Sequence, residues 1–225
     1  MKTYAIIPAG GKGIRSGLSA PKQYLKFNKK ELIVYTLEIF QKNKLVNNII
    51  ISAEPAYFSL LQNLRKKYSL SKVKQIVEGG TERQDSVFNA LKSIDAGKND
   101  LVIVHDAARP LLSPRILTGA IEYAKKKGNA VVCVKAKDTL VKGGSKVEAY
   151  LNRDEVYYVQ TPQIFMFHEL MKAMKKAYSE NFYGTDESML VQRTGKPVHI
   201  FEGSIINFKV TTKTDIDLVK TLLRK

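Results

Sequence analysis

Short runs rich in apolar residues alternate along this chain with longer segments in which apolar residues recur every three or four positions. The runs Tyr4–Pro8, Asn48–Ala53, Val73–Val77, Leu101–Val104 and Ala130–Val134 read as strands. Tyr4–Pro8, short, apolar and stopped by Pro and Gly, has the pattern of a strand buried on both faces of a parallel sheet. Between them, Glu31–Gln41, Pro55–Tyr68, Asp85–Ile94 and Ser113–Lys127 place apolar residues at helical spacing, as in Leu60, Leu61 and Leu64 or Val87, Ala90 and Leu91. Ser113 stands at an N-cap position with Pro114 as the first helical residue. Leu101–Val104 has no polar member and is expected at the centre of the sheet. The alternation predicts an α/β fold with a mainly parallel sheet flanked by helices.

The pattern lapses from Lys135 to Tyr158, which is polar, strand-prone and punctuated by Gly143-Gly144 like the tip of a hairpin. This segment is expected to leave the main sheet as an arm. Pro162–Phe165 returns to the body, Phe167–Tyr178 and Glu187–Thr194 are helical, Pro197–Phe201 is a strand, and Thr214–Leu223 is a closing helix. With no repeat or low-complexity linker, residues 1–225 are expected to form one domain.

The chemistry concentrates where strands end. After the first strand comes Pro8-Ala9-Gly10-Gly11-Lys12-Gly13-Ile14-Arg15-Ser16-Gly17, then Pro21-Lys22-Gln23-Tyr24-Leu25. Glycines let backbone N–H groups approach an anion, and Arg15 and Lys22 add fixed positive charge. The loop is neither a Walker sequence, because Gly13 follows Lys12, nor a dinucleotide fingerprint, because Ser16 occupies the third glycine position. Pro21 rules out an uninterrupted helix through the segment. Ligands of open α/β sheets lie beyond the carboxyl ends of the strands. Those ends also deliver Gly79-Gly80 with Ser86, then Asp106 and Arg109; the later chain adds Arg153, Thr185-Asp186-Glu187 and Lys209. Asp106 ends a buried strand, where a carboxylate requires a metal ion or an ion pair, Mg²⁺ in the first case and Arg109 in the second. His105 reads as structural. No Ser/His/Asp or Cys/His nucleophilic set is present, so the residues suit charge stabilisation of phosphates with the nucleophile supplied by a substrate.

Composition narrows the picture. The formal net charge is +16, but the cations are spread along the chain and are not interleaved with aromatics, which favours a small anionic substrate over nucleic acid. The lone Cys133 lies in an apolar run and reads as an inert core residue. No run is long enough for a membrane span, and the chain enters a strand at once without a signal segment, so a cytoplasmic location is expected.

The motifs taken in order resemble the 2-C-methyl-D-erythritol 4-phosphate cytidylyltransferases of the non-mevalonate isoprenoid pathway. The resemblance rests on the two N-terminal segments above, Gly79-Gly80-Thr81-Glu82-Arg83-Gln84-Asp85-Ser86 and Val104-His105-Asp106-Ala107-Ala108-Arg109-Pro110. It continues through Lys137-Asp138-Thr139, Asn152-Arg153, Gln160-Thr161-Pro162-Gln163, Thr185-Asp186-Glu187 and Lys209-Val210-Thr211. It implies a Rossmann-like nucleotidyltransferase fold with a protruding β-arm, and cytidylyl transfer from CTP to the methylerythritol phosphate with release of pyrophosphate. On that resemblance Arg15 and Lys22 stabilise the transition state. Ala9, Gly10, Gly11, Gly80 and Ser86 hold the nucleotide, and Asp106 holds Mg²⁺ near the sugar hydroxyls, with Arg109 among the binding residues. Arg153, Thr185 and Lys209 grip and aim the methylerythritol phosphate, with Thr139 assisting. The arm, about residues 137–158, is exchanged between the subunits of a homodimer. The alternatives are a cytidylyltransferase acting on ribitol 5-phosphate and a non-catalytic nucleotide- or RNA-binding module.

Overall fold

A computed structural model describes residues 1–11 and 21–223. The strands are β1 (Thr3–Pro8), β2 (Lys26–Phe27), β3 (Lys30–Glu31), β4 (Asn48–Ala53), β5 (Val73–Glu78), β6 (Leu101–Val104), β7 (Asn129–Lys135), β8 (Leu140–Gly143), β9 (Val147–Leu151), β10 (Tyr157–Met166) and β11 (Ile200–Glu202). The helices are α1 (Leu32–Lys42), α2 (Phe58–Lys67), α3 (Arg83–Lys92), α4 (Pro114–Lys127), α5 (Phe167–Ser179), α6 (Glu187–Gln192) and α7 (Lys213–Leu222).

The main sheet runs β11–β7–β10–β6–β1–β4–β5, with β6 at its centre as its composition predicts. Alternate side chains of the central strands feed two cores. Ala5, Ile7, Leu101 and Ile103 pack against Ile33, Leu37 and Phe40 of α1, Leu61 and Leu64 of α2, and Leu117 and Ile121 of α4. Tyr4, Ile6, Val102 and Val104 pack against α3, α5 and α6 through Val87, Leu91, Leu170, Met174 and Leu190. Burial on both faces is what leaves no polar position in these runs. Pro114 opens α4 as expected, but the Ser113 side chain makes no capping hydrogen bond. Gly128 closes the helix at φ +91°, a left-handed position that glycine adopts without a Cβ penalty.

The structure departs from the sequence reading in several places. Residues Pro55–Tyr57 form a 3₁₀ turn ahead of α2. α6 ends at Gln192, and the last sheet strand is limited to Ile200–Glu202. The return strand β10 is much longer than Pro162–Phe165 and runs antiparallel between β6 and β7. Its ladder with β7 is irregular between Val159 and Gln163, and this interruption hides the strand from a period-two reading. A small β2–β3 hairpin was also not anticipated.

Among the described residues, β8 and β9 pair only with each other. Val141, Val147, Tyr150 and Leu151 on this hairpin are exposed, Tyr150 by 75%. Among the described residues, no helix is long and apolar enough to cross a membrane.

Candidate active site

The site begins where β1 stops. Ala9 N–H donates to the Ser52 carbonyl at the end of β4 (2.7 Å), so the first glycine turn leaves from a fixed point. Lys22–Tyr24 form a 3₁₀ turn directly after Pro21. From it, Gln23 Nε2 donates to the carbonyls of Ala9 (2.6 Å) and Gly11 (3.0 Å), and Tyr24 Oη donates to that of Ala9 (3.2 Å). The Tyr24 ring stacks on Tyr57 at 4.2 Å between centroids. These contacts fix the carbonyls of Ala9 and Gly11, and Gly10 and Gly11 line the cleft. Residues 12–20, and therefore Arg15, lie outside the described residues.

The second turn leaves β5. Gly79 N–H donates to the Ala53 carbonyl (2.9 Å), and Gly80 N–H donates to Ser86 Oγ (3.0 Å), which itself donates to the Glu82 carbonyl (3.2 Å). A Cβ on Gly80 would run into the Asp85 side chain, so only glycine fits. Asp85 is held by Tyr178 Oη (2.6 Å) and closes a capping box with Glu82 at the start of α3. A Cβ on Gly10 would lie 3.6 Å from Ser86 Oγ, which places the two turns side by side.

Asp106, six per cent exposed, follows β6 and gathers three cations. Arg83 Nε donates to Oδ1 (3.1 Å), while Lys209 Nζ (3.1 Å) and Arg109 Nε (3.4 Å) meet Oδ2. Burial alone would raise the pKa of this carboxyl. The charges of Arg83, Lys209 and Arg109 override burial and hold it well below the usual carboxylate range. The guanidinium of Arg83 also forms a two-pronged pair with Glu187, Nη1 to Oε1 (2.7 Å) and Nη2 to Oε2 (3.0 Å).

His105 is fully buried, and desolvation pushes its pKa down to about 4 against the opposing hydrogen bonds. Its Nε2 faces the Arg109 carbonyl (3.2 Å), which can only accept, so Nε2 carries the proton. Nδ1 then accepts from Thr161 Oγ1 (3.1 Å), and the same oxygen accepts from the Asp106 N–H (3.1 Å). The neutral imidazole is thus a structural brace for the Asp106 loop, as the sequence suggested.

Ala9–Gly11, Lys22, Gly80, Ser86, Asp106 and Lys209 all line one cleft of about 820 Å³ at the carboxyl edge of the sheet. Arg109 does not line it; it bonds the Asn207 carbonyl (2.8 Å) and reaches the site through Asp106. Thr139, Arg153 and Thr185 are exposed and lie outside the cleft lining of the single chain. Arg83 and Glu187 were quoted in the sequence motifs but given no role. Their pairing joins positions 104 residues apart, which no local pattern can signal.

The donor set at Asp106 fits a divalent cation only as one carried by phosphates. Among the described residues, no group of three or more His, Cys, Asp or Glu could form a metal cage, and both Asp106 oxygens already face cations of the protein.

An open α/β sheet whose carboxyl edge carries two glycine-rich turns beside clustered cations defines a nucleotide-binding protein of the nucleotidyltransferase type. The family model for 2-C-methyl-D-erythritol 4-phosphate cytidylyltransferase (IspD) matches residues 3–225. The enzyme of that name from Syntrophus aciditrophicus is 38% identical over 100% of this chain and 97% of its own length. That from Clostridium acetobutylicum is 38% identical over 98% and 97%. Among solved structures, 4-diphosphocytidyl-2C-methyl-D-erythritol synthase from Anaerococcus prevotii superposes with a TM-score of 0.87 at 28% identity, covering 100% of this chain and 96% of that one. The Francisella tularensis cytidylyltransferase gives 0.83 at 32% identity, covering 98% and 99%. The chain belongs to the 2-C-methyl-D-erythritol 4-phosphate cytidylyltransferase family.

Proposed function

We infer that this protein transfers the cytidylyl group of CTP to 2-C-methyl-D-erythritol 4-phosphate, giving 4-diphosphocytidyl-2-C-methyl-D-erythritol and pyrophosphate for isoprenoid precursor synthesis. Beyond family membership, the observation that carries the reading is the shared cleft, in which both glycine turns and the cations Lys22, Arg83 and Lys209 face one space. A phosphate oxygen of the acceptor attacks the α-phosphorus of CTP. The bond to the bridging oxygen breaks, and its electron pair leaves with pyrophosphate. Negative charge grows at the α-phosphate and on the leaving group, where Lys22 and Arg15 supply compensating charge. The main chain of Ala9, Gly10, Gly11 and Gly80, with Ser86, holds the nucleotide. Lys209, Arg153, Thr185 and Thr139 bind and aim the acceptor phosphate. Arg109 keeps Asp106 in place. Asp106 is the residue that would hold Mg²⁺, which supplies neutralisation of the nucleotide phosphates when bound.

Pyrophosphate release with CTP, measured across polyol phosphates with and without Mg²⁺, tests this. Turnover is expected with the methylerythritol ester and to require Mg²⁺. Turnover with ribitol 5-phosphate and none with the methylerythritol ester would overturn the choice of acceptor.

The reading includes a homodimer with exchanged arms. A two-stranded hairpin is marginally stable alone in water, and β8–β9 leaves Val147, Tyr150 and Leu151 uncovered. Thr139 and Arg153 flank this hairpin and would complete the partner's cleft. Sedimentation is expected to show a dimer, and Tyr150→Asp combined with Val147→Asp to give a monomer of low activity. A fully active wild-type monomer would contradict exchange. The protein works in the cytoplasm on this reading, without nucleic acid or membrane.

A further inference from the structure

Arg83 lines the cleft and pairs with Glu187 behind it, and neither residue has a chemical step in the reaction above. Glu187 is one per cent exposed, whereas the Arg83 side chain is 28% exposed and lines the cleft. A buried ion pair adds little stability compared with apolar residues of similar volume, so stability does not account for it. Its geometry does something an apolar pair cannot. The two-pronged contact with Glu187 uses one N–H of each Nη group and fixes the plane of the guanidinium, which turns its Nε towards Asp106 Oδ1. Oδ2 is thereby reserved for Lys209 and Arg109. Gln84 adds a second tie between the same two segments. Its Nε2 donates to the Phe182 carbonyl (3.1 Å), and its Oε1 accepts from the Gly184 N–H (2.9 Å).

We propose that Glu187 is a positioning residue for the transfer: through Arg83 and Asp106 it holds Lys209 where the acceptor phosphate must bind. Without Glu187, the Arg83 fork is free to turn both Nη groups onto Asp106 and displace Lys209 from Oδ2. The link of Lys209 to the acceptor rests on the function proposed above. The nucleotide side is anchored separately, by Ser86 on Gly80 and by Tyr178 on Asp85.

Steady-state kinetics of Glu187→Gln and Arg83→Lys test the proposal, because lysine keeps the charge but lacks the planar fork that pairs with Glu187. Each variant is expected to raise KM for the methylerythritol phosphate about 10-fold or more, with KM for CTP within about threefold of wild type. The double variant is expected to be no worse than either single one. An unchanged acceptor KM, or effects that multiply, would overturn the proposal. Solvent exchange of the Arg83 Nε–H proton, followed by NMR and assigned by its loss in Arg83→Lys, reads the positioning without any turnover. It is expected to be slow in wild type and fast in Glu187→Gln; equal exchange in both sinks the proposal whatever the acceptor proves to be. A wild-type enzyme inert towards the methylerythritol ester would overturn the function reading instead, and the exchange measurement would then decide this one. If Glu187→Gln fails to fold, the paired change Arg83→Met with Glu187→Leu removes both buried charges. A stable protein with a raised acceptor KM is expected, and a wild-type KM in it overturns the proposal.

Discussion

Replacing Lys22 by alanine is expected to lower kcat by about 10²–10³-fold, on the order of 3–4 kcal/mol of barrier, while CTP affinity changes by less than about threefold. Lys22 lines the cleft from a 3₁₀ turn whose next two residues, Gln23 and Tyr24, grip the carbonyls of the first glycine turn. The cation is therefore tied to the backbone of the first glycine turn, which the proposed function assigns to the nucleotide. On the proposed function main-chain groups hold ground-state CTP, so the ammonium would contribute most where charge is gained during transfer. Arg15→Ala is expected to behave alike on charge grounds. Single-turnover kinetics with CTP in excess, set beside calorimetric CTP binding, separate the two effects. A variant that loses CTP affinity but keeps its single-turnover rate would refute the assignment.

The second large effect is on the fold. Asp106→Asn preserves shape but leaves Arg83, Arg109 and Lys209 clustered without their shared counter-charge. Removing one partner of a buried charge network costs about 3–5 kcal/mol. For a chain of this size that corresponds to a fall in Tm of roughly 6–20 °C. Adding Lys209→Met to Asp106→Asn is expected to recover part of the loss, since it removes one of the like charges now left together. Thermal denaturation at neutral pH measures both variants. A Tm equal to wild type for Asp106→Asn would show that solvent, not the carboxylate, balances the three cations.

The elements that the sequence made legible are those whose environment is uniform along their length. Leu101–Val104 is buried on both faces, so every residue must be apolar, and its central place follows. The helices show one buried stripe each, which is why Leu117, Ala120, Ile121 and Ala124 recur at helical spacing and all face the core. The arm was legible for a different reason, because Gly143-Gly144 marks a hairpin tip and the flanking segment loses the buried apolar pattern. β10 was only partly legible, since it passes from exposed Tyr157–Val159 to buried Gln160–Phe165 across an irregular register. No single periodicity describes such a strand.

The candidate site divides along the same line. The two glycine turns, Lys22 and Asp106 were readable, because strand ends and local backbone needs mark them, whereas Lys209 lies beyond the last strand and carries no such mark. The sequence by itself determined the alternating α/β framework and the edge at which its glycines and cations would meet. Only the tertiary structure decided how those charges are shared: that Asp106 faces three cations, that Arg109 serves it from outside the cleft, and that Glu187 pairs with Arg83. Periodicity reports whether a position is buried, which is a local property. The partner of a buried charge is set by which distant segments the sheet order brings within hydrogen-bond reach.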